Sequence, residues 1–144
     1  MSESVWGSVE IPPRVRDALP LRTIEISGDV IAYDVGTAQR VSDERLDPAY
    51  WVDLEVDARW AVIGASGTGD EWLVGPDGGV SFFDHDAGGR SPSRFMRLHI
   101  SVTEWLMAAH ALARFERVDV PSDIDEARLR ATLDAIAGEL STRW

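Results

Sequence analysis

Apolar and polar positions alternate in short runs through the first two-thirds of the chain, and then recur at helical spacing. Thr23-Ile24-Glu25-Ile26-Ser27 alternates as a half-buried strand does, and Ser27-Gly28-Asp29 signals a turn into a returning strand, Val30-Ile31-Ala32-Tyr33. The cleanest alternation is Val52-Asp53-Leu54-Glu55-Val56-Asp57. It predicts a strand with Val52, Leu54 and Val56 facing the core and Asp53, Glu55 and Asp57 forming an acidic stripe on the other face. Three more strands are predicted at Trp60-Ala61-Val62-Ile63, Glu71-Trp72-Leu73-Val74 and Val80-Ser81-Phe82-Phe83. Pro76-Asp77-Gly78-Gly79 joins the last two and suits a type I turn with a left-handed glycine, hence a tight antiparallel hairpin.

Before the strands, Ile11-Pro12-Pro13 leads into a short helix that Pro20 ends. Residues 36–48 are polar and read as loop. Beyond the strands, Val102, Trp105, Leu106, Ala109, Leu112 and Ala113 share a helical face, and Ser101 with Glu104 has the spacing of a capping box. A second helix follows Pro121, with Leu129, Leu133, Ile136, Ala137 and Leu140 as its apolar face and Asp123 with Glu126 as its cap. Strands first and helices afterwards predict an α+β fold: one antiparallel sheet of about five to six strands with helices packed against it. There is no repeat or linker composition, so residues 1–144 read as one domain.

Charge changes the picture more than composition does. The 14 basic residues, all arginine, face 25 acidic ones, a formal net charge of -11. Such a chain lacks the basic footprint that nucleic acid requires, and its field would steer a basic partner toward it. Net charge also serves solubility, so acidity alone does not choose between these roles. No apolar stretch approaches the roughly 20 residues that span a bilayer, so no membrane association is expected. Met1-Ser2-Glu3-Ser4 lacks the features of a signal peptide, and the absence of cysteine excludes disulfides and thiolate metal sites. A cytoplasmic protein is expected.

Candidate chemistry is sparse. Gly64-Ala65-Ser66-Gly67-Thr68-Gly69 is followed by Asp70 and Glu71, where a phosphate-binding loop needs a lysine and a hydroxyl, so a turn between strands is expected. Asp84-His85-Asp86 is the best metal candidate, with Asp70, Glu71 or His99 as further ligands. If the strand ran on, however, His85 would point away from the side chains flanking it. A polar strand end is the plainer reading, and no metal or other cofactor is expected. Ser66 or Ser81 with His85 and an aspartate could be assembled into a triad, but Ser66 lacks the spacing of a nucleophile elbow. His110 lies at the edge of a helix face. Trp60, Trp72 and Trp105 fall in apolar periods and are expected in the core, whereas Trp6, Trp51 and Trp144 fall outside them and are candidates for exposure and binding.

From Trp60 to Leu106 the order of features resembles the SUKH superfamily. The resemblance is carried by Trp60-Ala61-Val62-Ile63-Gly64, then Gly67-Thr68-Gly69-Asp70 leading into Glu71-Trp72-Leu73-Val74, then Asp77-Gly78-Gly79-Val80 and Phe82-Phe83-Asp84-His85-Asp86, and finally Ser101-Val102-Thr103-Glu104-Trp105-Leu106. Val102 stands where the family more typically has an aromatic residue. The resemblance implies a bacterial immunity protein, not an enzyme, that binds and neutralises a polymorphic toxin, often a nuclease, by covering its active site. Asp53, Glu55, Asp57, Asp84 and Asp86 are then the candidate contacts to a basic toxin. A regulatory interaction module with another partner, and a small metal-dependent hydrolase built on Asp84, His85 and Asp86, are the alternatives.

Overall fold

The computed structural model describes residues 5–144; the opening tetrapeptide, read above for a signal, lies outside them. Six strands form one antiparallel sheet in the order β1 to β6: Ile24–Ser27, Val30–Ala32, Ala61–Ala65, Glu71–Val74, Val80–Phe83 and Met96–Arg97. Helix α1 (Pro13–Ala18) precedes the sheet, α2 (Val35–Glu44) interrupts it after β2, and α3 (Val102–Glu116), α4 (Asp123–Ile136) and α5 (Leu140–Arg143) follow it. The fold is α+β, as the order of strands and helices predicts.

Both faces of the sheet are covered. Ala61, Ile63, Trp72, Val74 and Val80 point to the larger core, which includes Val102, Trp105, Ala108 and Ala109 of α3. Val62, Leu73 and Phe83 point the other way, into a second core with Val41 of α2, Trp51, Trp60 and Phe95. The period-2 alternation thus feeds two cores, and β4 is buried at all four positions. Trp105 is fully buried. Removing a side chain of that size from water is worth about 4 kcal/mol at ~25 cal/mol per Å².

Local signals at the β4–β5 turn and the α3 N-terminus hold as read. Gly78 adopts φ 80° between β4 and β5, with its N–H donating to Gly75 O at 3.0 Å. Ser101 and Glu104 form the reciprocal capping box of α3. The cap of α4 is instead Ser122 with Asp125, one position before the pair read from the sequence.

Two segments differ from expectation. Residues 36–48 are largely helix, not loop. The polar residues that hide α2 are structural: Ser42 is buried and its Oγ accepts the Val62 N–H at 2.8 Å, at the point where the β3–β4 register shifts. Asp43 is buried too, and its Oδ1 accepts the Val9 N–H at 2.8 Å and a Gln39 Nε2 bond at 3.0 Å, tying down the segment before α1.

The second difference is residues 52–57, which form no strand. A short 3₁₀ turn covers Val52–Leu54, and the sixth strand is Met96–Arg97, beside β5. Leu54 and Val56 face outward, not into the core.

Candidate binding surface at one end of the sheet

Two loops face each other where β4 begins and β5 ends, and a further segment abuts one of them through Trp51 and Val52. This segment, the first of the three along the chain, carries Trp51–Asp57. Asp53 and Leu54 both take the left-handed backbone conformation, φ 52° and 63°. For a leucine that conformation costs about 1–2 kcal/mol, so its surroundings must impose it. They do. Val52 N–H donates to Arg90 O at 2.8 Å and Arg90 N–H to Tyr50 O at 2.8 Å, so Trp51 and Arg90 form a parallel bridge. Trp51 is buried, against expectation, and its Nε1 donates to Arg45 O at 2.7 Å.

Arg90 anchors this clamp. It is 3% exposed, pairs with the buried Glu71 carboxylate, and lies over the rings of Phe83 and Trp51. Arg45 Nε donates to the other Glu71 oxygen at 3.1 Å. Burial, with Arg45 adding to it, pulls the Arg90 guanidinium down to about 9, which still leaves it charged at neutral pH. Glu71, a metal candidate in the sequence, is therefore committed to two arginines.

The result is a loop held at its base, in which Leu54, 68% exposed, stands between exposed Asp53 and Glu55, with half-exposed Tyr50 nearby in sequence. Asp57 belongs to no stripe. It accepts two bonds from the Arg59 guanidinium at 3.0 Å, one from the Arg59 N–H at 3.1 Å and one from Trp60 Nε1 at 3.1 Å. The Arg59 bond is the main reason its carboxyl lies below the ordinary range.

The second and third loops carry Ser66–Asp70 and Asp84–Gly89. A Cβ on Gly89 would meet Val52 at 3.3 Å, so the third loop abuts the first. Strand β5 stops at Phe83, and Asp84 caps a 3₁₀ turn by accepting the Asp86 N–H at 2.9 Å. The strand geometry that would have turned His85 away therefore never applies. The imidazole Nδ1 lies 2.6 Å from Asp70 Oδ1 and 4.0 Å from Asp84 Oδ1, and Nε2 lies 3.2 Å from Asp86 Oδ1. The hairpin register explains the meeting. Glu71 pairs with Phe83, so Asp70 stands across from Asp84. Counting back from the Gly78 turn would have found this.

Asp70 Oδ2 accepts bonds from Ser66 Oγ at 3.2 Å and Thr68 Oγ1 at 3.3 Å. Partial burial works to raise the Asp70 carboxyl, but the side-chain and backbone bonds from His85, and then the bond from Ser66, hold it below its ordinary value. His85 is raised, chiefly by its bond to Asp70, with burial opposing and the charges of Asp86, Asp70 and Asp84 adding. Serine, aspartate and histidine stand in that order, so Ser66 bonds the carboxylate and not the imidazole. That is not the order of a nucleophilic triad. His99 stands outside this group.

Beside the second loop, Ser66, Thr68 and Asp70 edge a cavity of about 330 Å³ walled by Trp72, Phe82 and Trp144. Trp144 stacks on Trp72 at 6.3 Å, so it is a partly covered wall residue, whereas Trp6 is 53% exposed.

Fold and surface together define an α+β protein with a clamped, acidic, partly apolar loop end. No family model matches the chain, and no curated protein or solved structure matches it. Among the described residues no helix is long and apolar enough to cross a membrane.

Proposed function

We propose that the protein binds a basic protein partner through this loop end, and that the partner is a toxin which it neutralises as an immunity protein. The observation that carries the reading is the left-handed Asp53–Leu54 pair, clamped by Trp51 and Arg90 and exposing an apolar tip between two carboxylates. Strain held in place by a buried ion pair is more than a surface turn needs. An apolar side chain on a loop held at its base, within a charged surround, is the anatomy of a preorganised contact. Asp84 and Asp86, on the abutting loop, extend the negative surface that would steer a basic partner. The order of features from Trp60 to Leu106 that resembles the SUKH superfamily supports a toxin as that partner.

The test is co-expression with the product of the neighbouring gene, scoring suppression of its toxicity and recovery of a complex. Leu54→Ser should weaken the complex at least tenfold, and Asp84→Lys with Asp86→Lys should slow association and flatten its salt dependence. Complex formation without any toxicity to suppress would leave a regulatory module. Binding kinetics unchanged in all these variants would reject this surface.

A further inference from the structure

We propose that Asp70, Asp84 and His85 form a binding site for a divalent transition-metal cation of the zinc type. The donors are two carboxylate oxygens and one imidazole nitrogen, all within 4.8 Å of one another. They come from two loops that the β4–β5 hairpin fixes side by side. In a tetrahedral zinc site with bonds of ~2.0 Å, neighbouring ligand atoms stand about 3.3 Å apart. The Nδ1 atom of His85 is 2.6 Å from Asp70 Oδ1 and 4.0 Å from Asp84 Oδ1, so these two spacings need to change by less than an ångström. Ligation by Nδ1 would replace its hydrogen bond to Asp70.

The mixed donor set decides the kind of metal. Magnesium and calcium prefer oxygen throughout, whereas imidazole with carboxylate suits zinc and its neighbours. The surroundings hold each ligand in place. Asp86 Oδ1, 3.2 Å from His85 Nε2, can accept that N–H, the carboxylate–histidine pairing that aims an imidazole at a metal. Ser66 and Thr68 hold Asp70 Oδ2, and the His85 backbone N–H donates to Asp70 Oδ1 at 3.1 Å, so the carboxylate is oriented from both oxygens and the cation would share Oδ1 with that N–H.

The experiment titrates zinc alone into chelator-treated full-length protein by calorimetry, with thermal unfolding in parallel. One equivalent should bind and raise Tm. His85→Ala and Asp70→Asn should abolish both effects, and Asp86→Asn should weaken binding about 10–100-fold. Exposed Asp84 gives a further variant, Asp84→Asn, should either of the others fail to fold by circular dichroism. His110→Ala, on α3, should bind as the parent does. The proposal fails if zinc up to millimolar neither binds nor shifts Tm. It fails equally if His85→Ala binds as tightly as the parent, or if magnesium or calcium binds as tightly as zinc.

Discussion

Gly64 of β3 lies directly beneath Trp105 of α3: a Cβ built on the glycine would stand 2.7 Å from the indole ring and 2.6 Å from Ile31 O. Neither neighbour can yield, since one is backbone and the other a fully buried ring. Gly64→Ala should therefore force the helix off the sheet and destabilise the protein by about 1–3 kcal/mol. Urea unfolding checks this, and an unchanged midpoint would mean that α3 does not pack on β3 as described.

The Glu71–Arg90 pair predicts an asymmetry. Arg90→Met leaves the buried Glu71 with only the half-buried Arg45, and should cost about 3–5 kcal/mol. Arg90→Met combined with Glu71→Leu should recover most of that loss, because no buried charge is then left behind. A double variant as unstable as the single one would show that the Trp51–Arg90 backbone bridge, not the ion pair, is what the guanidinium supports.

Leu54→Asn separates strain from contact. Asparagine tolerates the left-handed conformation better than leucine, and the lost side chain is largely exposed. Stability should rise by about 0.5–1 kcal/mol, read as a higher urea midpoint. Partner binding should fall at the same time. A fall in both would mean that Leu54 supports the fold.

Acid should loosen three helix caps together. Asp34 accepts the Thr37 N–H at α2, Asp125 pairs with Ser122 at α4, and Asp134 accepts the Ser141 N–H at α5. In each case a backbone hydrogen bond is the chief cause of a carboxyl held below its ordinary value. A folded-state value below the unfolded one stabilises above the unfolded pKa of ~3.9. That contribution is lost as pH falls through the lower folded value. Helical circular dichroism under mild urea should therefore decline below about pH 4, and Asp125→Asn should decline less steeply.

The sequence made local elements legible where one short stretch carries its own instructions: the Gly78 turn, the Ser101–Glu104 box and the alternating strands on either side of residue 72. It misled where a residue answers to a distant partner. Val52–Asp57 alternates like a strand, but Val52 bonds Arg90 while Leu54, Glu55 and Val56 donate back to residues 51, 52 and 54, so the alternation pairs with no strand. Helix α2 was hidden because Ser42 and Asp43 are buried to satisfy Val62 and Val9, which makes its inner face look polar. At the loop end, Asp84, His85 and Asp86 were visible as chemistry. Asp70 joins them through hairpin register, and the clamp on Leu54 rests on contacts that no local pattern encodes.

The outer strands of the sheet limit how anything can attach to it. One is Met96–Arg97, only two residues long, and the other, Ile24–Ser27, is irregular between Glu25 and Ser27. Neither offers the long, flat run of unpaired backbone groups that lets a second chain extend a sheet by strand addition. A partner of the proposed kind must then be met by side chains and loop tips, and the hydrogen-bonded centre of the sheet stays out of its reach.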